Sequence, residues 1–311
     1  TPGYAPMNPL RGIALKVASV CVFVAMASLI KATAAAVPPG EAVFFRSFFA
    51  IPVILVWLGV TGALRAGLAT RTPLGHIWRG MLGTAAMGFG FAGLGLLPLP
   101  EVTAIGYAAP ILTVAFAAMF LGEEVRAFRL TAIALGLVGV LIVLSPRLTV
   151  LQGEGAGPVE TLGAIVVLTS AVFAALAQTF VRKLVATETT TAIVFWFSVS
   201  AAVLSLVTLP FGWSWPSPGV AAMLVAAGLL GGVGQVLLTS SYRHADTSVI
   251  APFEYSSMIL ALGVGYLVFG EVPSWVVIFG ALIVVAAGIL IIWRERQLGL
   301  ERARQRQSMP P

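Results

Sequence analysis

The chain has 311 residues, of which 59% are apolar and only 10% charged, and its mean hydropathy is +1.01. A soluble domain carries about 25% charged residues, so this chain lacks the polar surface of a water-facing globule and reads as an all-α integral membrane protein. The formal net charge of +6 is scattered over short loops and a tail. It forms no basic groove, which excludes a nucleic-acid-binding module and makes the lipid bilayer the partner of these cations.

A helix needs about 18–22 apolar residues to cross the hydrocarbon. Ten such stretches occur, near 12–34, 42–61, 77–97, 102–121, 128–145, 161–181, 191–210, 219–241, 248–269 and 274–293. The first has Arg11 before it and small residues near its end, as a cleavable signal segment does, but its apolar part is too long for one. The connectors are short and rich in breakers: Pro38-Pro39-Gly40, Arg71-Thr72-Pro73, Pro98-Leu99-Pro100, Gly153 to Pro158 and Trp215 to Pro218. None has room for a soluble domain. The tail at 294–311 is basic and is expected to lie against the anionic inner leaflet.

Cations set the orientation of such a chain. If the ten stretches alternate, 15 of the 18 Lys and Arg residues share a side, Lys16 and Arg79 among them, and only Lys31, Arg46 and Arg147 lie opposite. Both termini are therefore expected to be cytoplasmic.

The chain also resembles itself. At an offset of 148, Gly80-Met81-Leu82-Gly83 meets Gly228-Leu229-Leu230-Gly231, Tyr107 meets Tyr255 and Gly122-Glu123 meets Gly270-Glu271. At an offset of 151, Gly12, Ser19, Val43-Phe44 and Ser47 meet Gly163, Ser170, Val194-Phe195 and Ser198. The expected division is an N-terminal cytoplasmic segment at 1–11, a first repeat at 12–146, a periplasmic loop at 147–160, a second repeat at 161–293 and the tail at 294–311. Five spans per repeat is an odd number, so the second copy enters the membrane from the other side. Inverted repeats of this kind are a recurring architecture of secondary transporters.

Other chemistries find little support. Cys21 stands alone, and His76 and His244 lie far apart in polar segments, so neither a disulfide framework nor a metal site is expected. No GxxxxGK[ST] motif occurs, and no cofactor is implied. Asp246 is the only aspartate, which weakens a membrane-embedded lipid-modifying enzyme as the alternative. An uncoupled facilitator or channel stays open.

Several segments resemble the drug/metabolite transporter superfamily, in particular its EamA type, which includes the YddG-like amino-acid exporters. They are Phe44-Phe45-Arg46-Ser47-Phe48, then Ala104 to Pro110 leading to Leu121-Gly122-Glu123, and Ala251-Pro252-Phe253-Glu254-Tyr255 leading to Phe269-Gly270-Glu271. The resemblance implies ten helices in the bacterial inner (plasma) membrane, with helices 1–4 and 6–9 forming a basket around a central cavity and helices 5 and 10 outside as supports. It also implies export of a small-molecule substrate, amino acids or related metabolites, by a monomer or homodimer. Met258 stands where the first half has a proline, so helix 9 is expected to kink differently from helix 4.

The candidate cavity residues are Arg46, Tyr107, Gln178, Trp196, Gln235, Glu254, Tyr255 and Ser256. Glu254 lies about 10 Å along helix 9, where a lipid-facing carboxylate would cost about 3 kcal/mol. It is expected to face inward, either as a structural partner of Arg243 or as a group that binds a substrate amine or couples protons. Arg46, among phenylalanines, either snorkels to headgroups or clamps a carboxylate. Lys31 is expected to snorkel. Glu123 and Glu271 are expected to complement helix N-terminal dipoles. A wall of mostly apolar residues favours neutral, apolar or aromatic amino acids over acidic or basic ones.

Overall fold

A computed structural model describes residues 9–121, 127–148, 157–242, 244–245 and 247–308, and these form helices joined by short turns. In chain order they are α1 (Pro9–Thr33), α2 (Pro39–Phe48), α3 (Ala50–Val60), α4 (Leu64–Leu68), α5 (Pro73–Leu96), α6 (Leu99–Gly106) and α7 (Ala108–Leu121). Then come α8 (Ala127–Leu148), α9 (Pro158–Leu184), α10 (Thr190–Ser205), α11 (Pro218–Ser241), α12 (Thr247–Ile250), α13 (Ser256–Phe269) and α14 (Trp275–Ser308). A 3-10 turn at Leu206–Phe211 extends α10, and another at Ala251–Tyr255 joins α12 to α13.

Among the described residues, eight segments are long and apolar enough to cross a membrane. The two remaining apolar stretches of the sequence fall on α5, with 24 residues, and α8, with 22. Both are long enough for about 30 Å of hydrocarbon at about 1.5 Å per residue.

Prolines set both the starts and the interruptions. Pro39, Pro73, Pro158 and Pro218 each open a helix, where the missing N–H leaves no bond unmade. Inside the bilayer the same deficit breaks the helix ladder. The α2/α3 break at Phe49 lies three residues before Pro52, the α6/α7 break at Tyr107 three residues before Pro110, and Pro252 lies in the 3-10 turn. Helix 9 thus departs from helix 4 by a 3-10 turn.

The packing is symmetric. Helix α1 lies on α11 and α5 on α9, while α2 meets α10, α6 meets α13 and α8 meets α14. Exchanging the helices before residue 149 with those after residue 157, in order, maps this pairing onto itself. Tyr107 and Tyr255 face each other at its centre, with ring centroids 5.0 Å apart. Around them Ile105, Ile111, Val143, Val167 and Val284 are fully buried. At the α8/α14 crossing a methyl on Gly139 would sit 2.9 Å from the Gly280 carbonyl oxygen, so the backbones touch. Large apolar side chains such as Val56, Leu141, Leu267 and Phe279 point outward, as a lipid-facing surface requires.

Candidate functional site

Two charged clusters lie inside the bundle, each about 10 Å along its helices. In the first, Lys16 of α1 donates to Glu254 Oε2, from the 3-10 turn before α13. The lysine is 4% exposed and the carboxylate 47%, so the cation is sealed while the acid is reachable. Arg243, the partner expected for Glu254, lies outside the described residues. Lys16, inside the first apolar stretch and on the cytoplasmic side by the cation count, is a buried helix residue.

Beside this pair is a hydroxyl network at the centre of symmetry. The Tyr107 hydroxyl lies 2.6 Å from Ser257 Oγ and donates to the Tyr255 carbonyl at 3.3 Å. Ser257 Oγ in turn donates to the Glu254 carbonyl at 2.7 Å. Tyr107 therefore ties the broken helix 4 to the turn that carries Glu254. Tyr255 is buried beneath it, its hydroxyl where a Gly288 side chain would be.

The second cluster holds Arg46 of α2, Arg79 of α5 and Phe197 of α10. Arg46 is 6% exposed and points into the protein, not to headgroups. Its Cζ lies 5.8 Å and that of Arg79 3.5 Å from the centroid of the Phe197 ring. The cation count uses Arg79 only to orient the chain, and Arg79 is absent from the expected cavity residues. The signal was helical spacing, since buried His76, Gly80 and Gly83 mark the inner face of α5 that Arg79 adjoins.

The other expected cavity residues are not gathered here. Gln178 is exposed on α9, because the helix register buries Ala175, Ala177 and Thr179. Trp196 donates Nε1–H to the Leu68 carbonyl at 3.2 Å, and with His76 lines a lateral cleft of about 290 Å³. Gln235 is half-buried in α11, next to Gly234, whose carbonyl accepts from Ser19 Oγ at 3.1 Å. Ser256 Oγ donates to the Phe253 carbonyl at 2.6 Å and is spent on the turn. Lys31 does not snorkel: it pairs with Glu271 at 2.8 Å and donates to the Leu94 and Leu97 carbonyls at 3.1 and 2.7 Å. Glu271 accepts from the Leu99 N–H at 2.8 Å, at the N-terminus of α6. Glu123 lies outside the described residues.

Comparisons with known proteins agree with this architecture. The chain is 30% identical over 284 residues to the pseudopaline exporter CntI of Pseudomonas aeruginosa (strain UCBPP-PA14), covering 90% of this chain and 95% of that protein. It is 28% identical over 257 residues to the S-adenosylmethionine uptake transporter of Rickettsia bellii (strain RML369-C), covering 83% and 84%. Against the riboflavin transporter of Rhizobium johnstonii it is 28% identical over 261 residues, covering 84% and 83%. A solved structure superposes with a TM-score of 0.64 over 92% of this chain and 98% of that one, at 20% identity, which shows the fold. A family model matches twice, over residues 10–145 and 161–293. The chain therefore belongs to the EamA-like transporter family and is a multi-pass membrane protein.

Proposed function

We propose that this chain is a ten-helix secondary transporter of the bacterial inner membrane, built from two inverted five-helix repeats, 12–146 and 161–293, that exports amino acids or related metabolites by alternating access. The observation that carries this reading is the Tyr107–Tyr255 contact. Two helices, broken at equivalent positions, meet there beside an intramembrane ion pair. Irregular backbone is tolerated at membrane depth where protein or a water-filled cavity covers it, and sites in inverted-repeat carriers lie at that interface. The names of the relatives, which span pseudopaline, S-adenosylmethionine and riboflavin, support a small-metabolite carrier, and the first supports export.

In this reading Glu254 is the exchangeable charge. A substrate ammonium or a proton competes with Lys16 for the carboxylate, and loss of the Lys16–Glu254 pair loosens α1 from α13. Proteoliposomes loaded with radiolabelled amino acids should show saturable counterflow that depends on an imposed pH gradient. Glu254→Gln leaves the sealed Lys16 without its counter-charge and should melt at a lower temperature than wild type, and the protein that inserts should show a flattened pH dependence. Flux without counterflow would make the protein a channel. Transport by Glu254→Gln equal to wild type from pH 5 to 8 would remove Glu254 from coupling.

A further inference from the structure

Arg46 Nη1 and Arg79 Nε and Nη1 are buried and make no hydrogen bond. None of the ion pairs among the described residues includes either arginine. Guanidinium does not shed its proton in a protein, so these are two like charges set against one ring, Arg46 buried and Arg79 half-buried. Burying one unpaired cation is among the most costly arrangements a fold contains, and a second adds repulsion. The place is shaped for them. A methyl on Gly83 would come within 2.7 Å of both Arg79 Nη1 and Phe197 Cε2, and one on Gly231 within 3.1 Å of Arg46 Nε. Ser47 Oγ, next to Arg46, and Thr84 Oγ1, next to Gly83, are also buried without a partner. Two guanidiniums set against one ring with no counter-charge describe a site whose missing component is an anion.

We propose that Arg46, Arg79 and Phe197 bind two carboxylates of a single solute, so that the exported metabolite is an acid-rich amino-acid derivative. The proposal rests on the transporter reading above and replaces the preference for neutral amino acids expected from an apolar wall. Two charges are needed for neutrality, and the edge of each guanidinium matches one planar carboxylate in bidentate fashion. Phe197 holds the Arg79 plane by cation–π contact and offers an apolar floor to the carbon chain between the carboxylates. At the repeat offset of 151, Arg46 and Phe197 are equivalent positions. One repeat thus supplies a cation where the other supplies a ring, and this asymmetry fixes which end of the solute binds here. Glu254 is left for an ammonium.

The test is binding to the detergent-purified full chain, by isothermal titration and thermal shift, with glutarate, glutamate, glutamine, phenylalanine and inorganic phosphate as probes. Glutarate and glutamate should bind roughly tenfold or more tightly than glutamine and phenylalanine, and raise the melting temperature accordingly. Arg79→Gln and Arg46→Gln should each weaken glutamate roughly 10- to 100-fold and phenylalanine, which has a single carboxylate, by less. Arg79→Lys, which keeps the charge without the fork, should fall between. If the glutamine variants do not fold, Arg79→Lys and Phe197→Leu decide the matter by the same ratio of glutamate to phenylalanine. Equal binding of glutarate and phenylalanine to wild type, an unchanged ratio in the folded variants, or binding of phosphate alone would each overturn the carboxylate site. Counterflow in proteoliposomes separates the two readings. Counterflow of glutamate and phenylalanine alike that is indifferent to both arginines would remove the site and keep the carrier, whereas arginine-dependent glutamate binding without counterflow would keep the site and remove the carrier.

Discussion

Glu188 shows what a single carboxylate can hold together. Its Oε1 accepts from the Arg71 and Thr72 N–H groups at 2.7 and 2.6 Å and from the Thr72 and Thr70 hydroxyls at 2.8 and 3.0 Å. A residue of the α9–α10 turn thereby caps the start of α5. Burial resists its ionisation, but the donors outweigh it, the Thr72 hydroxyl first, and hold the carboxyl below its ordinary 4.5, at about 2. Because the folded value is depressed, the stabilisation is complete above about pH 4.5 and is lost as pH falls toward 2. Glu188→Gln should melt at lower temperature than wild type at pH 7, by an equivalent of about 1–3 kcal/mol, and the gap should close between pH 4.5 and 2; a gap independent of pH would contradict the cap. Lys31 makes the opposite point about legibility. Its position near a helix end suggested snorkelling, since sequence records depth but not the carbonyls and carboxylate brought to it from the end of α5 and the turn after α13. Lys31→Met should therefore cost about 3 kcal/mol in detergent melts, because it strands Glu271, where a snorkelling lysine would cost almost nothing.

At the scale of elements, much of what the structure contains was readable, and the reason is chemical. Proline lacks an N–H wherever it stands, so the breaker-rich connectors marked helix starts, and Pro110 and Pro252 marked interruptions. What was not readable was rotation about the helix axis. Lys16 and Arg79 sit near the ends of apolar stretches and entered only the count of cations on one side, yet Gly12, Lys16, Ser19 and Thr33 share one buried face of α1. That spacing, small or polar residues on one helix face, carried the signal. Gln178 is exposed on α9, and polarity alone does not say which way that helix turns it. The α8/α14 crossing shows how finely rotation is set. Either glycine there admits the other backbone within 3 Å of an added methyl, so Gly139→Val should destabilise the pair by about 1–3 kcal/mol through overpacking. Intramolecular disulfide trapping across this crossing would then fall in yield relative to the parent glycine.

For the whole molecule, the decisive question is whether the symmetric packing is also an inversion across the bilayer. Two carboxylate latches frame it. Glu188, just before α10, holds the residues preceding α5, while Glu41, in the first turn of α2, accepts from Ser214 N–H at 3.0 Å, just before α11. Exchange of the two halves takes one latch to the other, and inverted repeats put them on opposite faces. The cation bias agrees, and it survives once the buried Lys16, Arg79, Lys31 and Arg46 are set aside, because the loop and tail arginines remain on one side. Trp215 and Ala186 are both exposed, one beside each latch, so single cysteines there report the two faces directly. In a Cys21→Ala background, which removes the native exposed thiol, a membrane-impermeant maleimide on intact cells should label Trp215→Cys and spare Ala186→Cys until the cells are permeabilised. Labelling of both from outside would mean that the latches share a face, and a two-fold exchange that leaves both latches on one face runs along the membrane normal and gives parallel repeats, not inverted ones.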